Sequence, residues 1–230
     1  MAAPKIFSWF VRIGGKTLEG RIKIYGSGCT LDHAHVLGAL HCWDMLRKEG
    51  RPPLLVRKDG LFLGQVVFEN RSMDIVVYKC LELVEASVAE KINEYPAFSN
   101  TRLGFGQSVG YTAKLTLRGD GIKPSTSSHF AIGTVSMLTL GKDRDGHVYG
   151  LTGCIAQAGF SGAGVFRPDA SLAGIVVENI GFRIEESVYA PIISLPAISP
   201  TLPVTDEING VLALGAATTN ARNSTTFSCE

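Results

Sequence analysis

The chain lacks a surplus of charge of either sign. It has 22 Lys and Arg against 21 Asp and Glu, a formal net charge of +1, and no run of basic residues. Binding to nucleic acid or to an anionic membrane surface usually requires clustered cations, so neither is an expected partner. No apolar run approaches the roughly 20 residues that cross a bilayer, and the first residues do not form a secretory leader. We therefore expect no membrane segment in this chain and a cytoplasmic location.

Cysteine is scarce and unpaired in its spacing. Five cysteines occur in 230 residues, with no Cys-x-x-Cys motif. An odd count without a leader favours free thiols in a reducing compartment over a disulfide framework. His33, His35, Cys80 and Cys154 do not have zinc-like spacing, so we expect neither a metal site nor a cofactor.

The chain does have many short β-branched and aromatic segments separated by Gly, Asp, Ser and Pro. This pattern is typical of an all-β sandwich or barrel. We expect a strand at residues 5–13, one helical turn at 41–46 and a connection at 81–100. The prediction is two six-stranded antiparallel β-barrels, residues 1–95 and 96–198. A tail at 199–230 should be loop with one short helix near 206–214.

A glycine-rich segment, Gly-Phe-Ser-Gly-Ala-Gly at residues 159–164, precedes a strand-like run. Ser161, set among glycines, can lie on a tight turn with its hydroxyl exposed and nearby N–H groups unpaired. This geometry suits a nucleophile. A turn serine without a chemical role is the alternative.

A serine nucleophile needs a base, and the base needs an orienting carboxylate. His41 lies at the end of an expected buried strand. The expected helical turn that follows can hold this histidine at a domain edge. Asp74 opens an apolar strand, where an unpartnered carboxylate would be costly. Asp44 or Glu69 could take the place of Asp74, and His41 could be a core histidine.

The residues around these three positions resemble those of chymotrypsin-like serine proteases. Val-Leu-Gly-Ala-Leu-His-Cys at 36–42 is similar to that family's Val-Leu-Thr-Ala-Ala-His-Cys. Met-Asp-Ile-Val-Val at 73–77 resembles its Asp-Ile-Ala-Leu strand, and residues 159–164 resemble Gly-Asp-Ser-Gly-Gly-Pro. Gly-Ser-Gly-Cys-Thr-Leu at 26–31 is similar to a motif of its bacterial and viral branches.

The resemblance implies two β-barrels with the active site between them and a His41–Asp74–Ser161 triad. It implies an oxyanion hole formed by the N–H groups of Gly159 and Ser161. It also implies a substrate pocket lined by Ile155, Val177, Asn179 and Ser187. Cys42 could pair with Cys29, as the family has a disulfide beside its histidine, although the free-thiol reading is favoured.

Phe160 stands where digestive members have an aspartate that pairs with a newly cut N-terminus. The resemblance is therefore to polyprotein-processing viral enzymes and intracellular bacterial relatives, which have no such zymogen switch. The substrate would be a polypeptide, including the chain's own precursor. The uncharged pocket suggests an apolar or small polar residue before the cut, unless Glu230 is itself a product of self-cleavage.

Two other functions compete with a serine endopeptidase. A catalytically silent protease fold could bind a peptide or a partner protein. An α/β-hydrolase fits poorly, because its histidine would follow the serine and no histidine lies after Ser161.

Overall fold

The computed structural model describes residues 3–87, 92–98, 103–117, 125–140, 147–152, 159–183 and 189–196. These residues form two helices and 13 strands. The helices are α1 (Ala3–Ser8) and α2 (Leu40–Lys48). The strands are β1 (Phe10–Lys16), β2 (Ile22–Thr30), β3 (His35–Ala39), β4 (Leu54–Arg57), β5 (Gly60–Asn70), β6 (Ile75–Ala86), β7 (Ser108–Leu117), β8 (Ser125–Leu140), β9 (His147–Thr152), β10 (Gly164–Phe166), β11 (Leu172–Ile175), β12 (Glu178–Arg183) and β13 (Tyr189–Pro196).

The first half is a closed antiparallel barrel with the strand order β1-β2-β3-β6-β5-β4. Strand β4 pairs back onto β1 and closes the sheet. Alternating side chains point inward and build a core of β-branched, aliphatic and aromatic residues that includes Val11, Val36, Leu55 and Tyr78. The six-stranded barrel expected for the first half is confirmed.

The second half is a seven-stranded sheet with the order β11-β10-β7-β8-β9-β13-β12, and its described ladders are antiparallel. A second six-stranded barrel was expected here and is not confirmed. Within the described residues no ladder joins the end strands β11 and β12. The expected short helix near 206–214 lies outside the described residues.

The first residues differ from the expected strand at 5–13. Residues 3–8 are helical, and only from Phe10 does the chain enter β1. Ile6 and Trp9, three positions apart, are both buried. The Trp9 N–H donates to the Ile6 carbonyl oxygen at 3.2 Å, so a helical turn continues past Ser8 to Trp9. Such a turn keeps positions three apart on one face, whereas a strand would send them to opposite faces. Helix α2 also exceeds the single turn expected, and β6 runs on through Ala86 into the expected connection.

The two halves share one hydrophobic cluster. Trp9 contacts Phe166 of β10 with ring centroids 5.4 Å apart, and its indole N–H donates to the Glu94 carbonyl oxygen at 2.7 Å. Phe7 meets Phe130 of β8 edge-on at 6.4 Å. The N-terminal segment thus contacts both halves. Neither described helix has the length and apolar character that crossing a membrane would require.

Candidate active site

His41 is the second residue of α2, directly after the fully buried strand β3. The Leu40 N–H donates to the Asp74 carbonyl oxygen at 3.0 Å, which ties the start of the helix to the residue before β6. The His41 side chain is 41% exposed. His41 therefore lies at the edge of the first barrel, with its backbone held and its ring accessible.

Asp74 holds His41 through both carboxylate oxygens. Oδ1 accepts from the His41 backbone N–H at 2.9 Å, and Oδ2 lies 2.7 Å from His41 Nδ1. An ionised carboxylate only accepts hydrogen bonds, so this contact assigns the ring proton to Nδ1 and leaves Nε2 as an acceptor. The pair therefore has the tautomer that a general base needs.

The backbone of Asp74 is left-handed, with φ of 55°. Asp and Asn adopt this conformation more readily than other non-glycine residues. The turn before it is closed by Asn70, whose side-chain oxygen accepts from the Met73 N–H at 3.0 Å. This turn aims the Asp74 carboxylate at the start of α2.

The two alternative acids have other partners. Asp44 pairs with Arg47 at 2.5 Å and with Arg71 at 3.1 Å. Glu69 accepts from the Trp43 indole N–H at 2.9 Å. Of the three carboxylates considered, the structure places Asp74 on the His41 ring.

The pKa of His41 is raised above its ordinary value, chiefly because its ring donates to the Asp74 carboxylate. The neighbouring Cys42 side chain contributes in the same direction, while partial burial of the ring acts against both. The contact therefore stabilises the imidazolium, and the neutral ring with an accepting Nε2 is the form present above this raised pKa. An imidazolium that forms during a reaction would be stabilised in the same way.

Ser161 lies on a tight turn between β9 and β10. Gly159 and Gly162 both have positive φ, 94° and 89°, and the Ala163 N–H donates to the Phe160 carbonyl oxygen at 2.9 Å. The Phe160 side chain is buried and meets Tyr111 edge-on at 6.1 Å. The residue before the serine is therefore anchored in the core of the second half.

This turn rests on strand β2 of the first barrel. The Ser27 N–H donates to the Ser161 carbonyl oxygen at 2.7 Å, and the Ser27 hydroxyl donates to the Gly159 carbonyl oxygen at 2.6 Å. Cys42 Sγ, next in sequence to His41, lies 4.0 Å from the Ser161 carbonyl oxygen. The serine turn and the histidine helix are thus neighbours.

The Ser161 hydroxyl makes no hydrogen bond to His41 within the described part of the chain. Such contacts are often long in the absence of substrate and tighten when it binds. In the same described part, the N–H groups of Gly159 and Ser161 have no hydrogen-bond acceptor, as an oxyanion hole requires.

The expected pocket residues are only partly placed. Ile155 and Ser187 lie outside the described residues. Asn179 is on β12, opposite Ile193 of β13. The Val177 side chain is buried in the cluster shared by the two halves.

Cys29 and Cys42 are buried free thiols, so the alternative disulfide is not formed. No group of three His, Cys, Asp or Glu among the described residues is arranged to hold a metal ion. Sequence reasoning did not identify Ser27 as part of the site. The sequence signal for it is the Gly-Ser-Gly motif at 26–28, whose serine lies on β2 between two glycines.

No family model and no curated protein matches the sequence. Solved structures do match its fold. The Rv3671c protease of M. tuberculosis in its active form has a TM-score of 0.59 at 15% identity, covering 92% of this chain and 82% of that one. An inactive form of Rv3671c from strain H37Rv, with serine replaced by alanine, has a TM-score of 0.57 at 16% identity and covers 94% and 90%.

The MamO protease domain of Magnetospirillum magneticum has a TM-score of 0.56 at 16% identity, covering 84% of this chain and 93% of that one. At such identities the likeness shows the fold. The chain has the fold of chymotrypsin-like serine proteases, as its sequence motifs indicated.

Proposed function

We propose that this protein is a serine endopeptidase with the triad His41, Asp74 and Ser161. The observation that carries the proposal is the pair of contacts between the Asp74 carboxylate and His41. One reaches the His41 backbone N–H at 2.9 Å and the other reaches the ring nitrogen Nδ1 at 2.7 Å. A carboxylate that only capped α2 would need the backbone contact alone. The second contact fixes the ring tautomer, which matters for proton transfer.

In the proposed reaction, the Ser161 hydroxyl oxygen attacks the scissile carbonyl carbon while His41 Nε2 takes its proton. The negative charge that develops on the carbonyl oxygen is held by the N–H groups of Gly159 and Ser161. His41 then gives the proton to the leaving amine, and water repeats the sequence on the acyl-enzyme. Asp74 orients His41 and stabilises its imidazolium.

The buried Phe160 supports an enzyme without zymogen activation. An apolar anchor against Tyr111 holds the residue before the serine without needing a newly formed charged N-terminus. We propose a polyprotein-processing or intracellular regulatory role, with a polypeptide substrate that includes the chain's own precursor. The residues proposed to line the substrate pocket are Ile155, Asn179 and Ser187. The buried Val177 would contribute its backbone.

One observation favours a second candidate, a catalytically silent protease fold that binds peptides. It is the missing hydrogen bond between the Ser161 hydroxyl and His41 within the described residues. A fluorophosphonate probe separates the two functions, because it labels a serine only when an adjacent base activates it.

The test compares wild-type protein with Ser161→Ala and His41→Ala in probe labelling and in cleavage of a peptide library. Wild type should be labelled on Ser161 and should cleave peptides. Both variants should lose activity by about a million-fold while their far-UV circular dichroism is unchanged. Cleavage by a folded Ser161→Ala protein would refute the proposed nucleophile, and an unlabelled, inactive wild type would favour the silent fold.

A further inference from the structure

Ser27 contacts the serine turn with three different groups. Its N–H donates to the Ser161 carbonyl oxygen and its hydroxyl donates to the Gly159 carbonyl oxygen. Its own carbonyl oxygen lies where a side chain on Gly162 would begin, 2.0 Å from an added Cβ. Ser27 is 2% exposed, so these contacts are shielded from water.

The contact with Gly159 differs from the other two because it depends on the side chain. Gly159 has no side chain of its own to pack, and an added Cβ would meet nothing within 4 Å. Its φ of 94° lies in a region that glycine leaves easily. The Ser27 hydroxyl therefore restrains the Gly159 backbone, because Gly159 has no side chain that could hold it in place.

The Gly159 peptide groups matter to the proposed reaction. The Gly159 carbonyl and the Gly159 N–H belong to the two peptide planes that meet at the Gly159 α-carbon. Holding the carbonyl plane fixes the position of that α-carbon, from which the N–H plane extends. When the carbonyl is held against β2 and Phe160 is anchored in the core, the Gly159 N–H can change direction only through the φ and ψ angles of Gly159 itself. An oxyanion hole depends on donors that are already oriented before the charge develops.

We propose that Ser27 is a positioning residue for the oxyanion hole, acting through the bond from its hydroxyl to the Gly159 carbonyl oxygen. This inference rests on the proposed function. Ser27 itself touches no reacting atom. It belongs to the first barrel, so it also sets how the serine turn of the second half meets the barrel that carries His41.

Strand β2 offers a matched control. Thr30, on the same strand, is also fully buried, and its hydroxyl donates to the Trp9 carbonyl oxygen at 3.2 Å, away from the serine turn. Ser27→Ala and Thr30→Val each remove one buried hydroxyl donor from β2. Both should lower the melting temperature, because each leaves a carbonyl without that donor. Only Ser27→Ala should change the chemistry.

The experiment measures kcat and KM of wild type, Ser27→Ala and Thr30→Val on a peptide that wild type cleaves. Loss of one oxyanion donor costs about 100-fold to 1000-fold in kcat, and a donor that is only misdirected should cost less. We expect Ser27→Ala to lower kcat about 10-fold to 100-fold with KM within about twofold. Its pH profile should keep the wild-type acid limb, because the contact between His41 and Asp74 is untouched.

A second variant, Ser27→Cys, keeps the inference testable if the Ser27→Ala protein fails to fold. A thiol is a weak donor of similar shape, so kcat should fall between those of wild type and the alanine variant. The inference is overturned if Ser27→Cys, or a folded Ser27→Ala, keeps wild-type kcat. It is equally overturned if Thr30→Val loses as much kcat as the Ser27 variants. A wild type without Ser161-dependent turnover would overturn the proposed function and this inference together, and that result is read from wild type and Ser161→Ala alone.

Discussion

Asp74 combines an unusual backbone conformation with a directed side chain. Its φ of 55° is in the left-handed region, and its two carboxylate oxygens face the backbone N–H and the ring of His41. Asn tolerates this backbone conformation as well as Asp does. Asp74→Asn is therefore a substitution that changes the hydrogen-bond chemistry with little change in backbone strain.

We expect Asp74→Asn to lower kcat/KM about 10,000-fold near neutral pH, because an amide no longer fixes the required tautomer of His41. The pH profile should change too. A general base must be neutral, so activity falls as the pH drops through the pKa of His41. The Asp74 contact raises that pKa, so the acid limb of wild type should lie above the position of an ordinary histidine. In Asp74→Asn it should move to lower pH.

The stability that the His41–Asp74 contact contributes falls as the pH rises, whereas the activity rises. Because the folded-state pKa of His41 is raised, its stabilising contribution is complete below the ordinary histidine pKa of 6.5 and is lost as the pH rises through the folded value. Denaturation of wild type and Asp74→Asn at several pH values checks this sign. Asp44→Asn and Glu69→Gln are the controls for the activity profile. If either shifts the acid limb and Asp74→Asn does not, Asp74 is the wrong acid.

At the level of elements, the serine turn contains two glycines with similar φ angles and different surroundings. Gly162 has φ of 89° and its added Cβ would be 2.0 Å from the Ser27 carbonyl oxygen. Gly159 has φ of 94° and open space around the same position. Alanine at Gly159 should cost only the left-handed strain, roughly 1–2 kcal/mol.

Alanine at Gly162 should cost more, because the strand β2 backbone must move as well. We expect Gly162→Ala to lower the free energy of unfolding more than Gly159→Ala does, as measured by urea denaturation. Gly162→Ala should also separate the serine turn from β2. Equal losses in the two variants would mean that β2 does not pack on the turn as the structure shows.

The sequence patterns predicted some of these elements better than others. Strand β3 and the following histidine were recognisable, because a short apolar run with a glycine and a terminal His-Cys is a strong local signal. Helix α1 was not predicted, because Ile6, Phe7 and Trp9 are equally good strand formers. The placement of Phe7 in α1 and of Trp9 just after it depends on partners far along the chain, Phe130 and Phe166, that local pattern does not reveal.

At the scale of the whole molecule, strand-rich structure was predicted for both halves, and barrel closure is confirmed for the first half alone. The first barrel closes through β1 and β4, which are separated by about 40 residues and are joined by three paired positions. Such long-range pairing has no local sequence signature. Chain order and burial sufficed to select Asp74, whereas the docking of Ser27 on the serine turn depends on contact between halves.

That contact between halves can be followed with the two tryptophans of the chain. Trp9 is 5% exposed and lies against Phe166, whereas Trp43 is half-buried on α2 with its indole N–H on Glu69. In a Trp43→Phe background, fluorescence reports Trp9 alone. If the shared cluster joins the halves, the Trp9 signal and the far-UV circular dichroism should change in one coincident denaturation transition.

Substitution of Trp9 tests the same cluster energetically. Trp9→Ala should lower the free energy of unfolding by about 3–5 kcal/mol, since it removes a large buried ring. Trp9→Phe keeps an aromatic ring against Phe166 and loses the indole N–H that donates to the Glu94 carbonyl oxygen, which should cost about 1–3 kcal/mol. Urea denaturation measures both. A Trp9→Ala protein as stable as wild type would mean that the halves hold together without the N-terminal segment. The same would follow if the Trp43→Phe protein kept its peptidase activity at urea concentrations where its Trp9 signal has already changed.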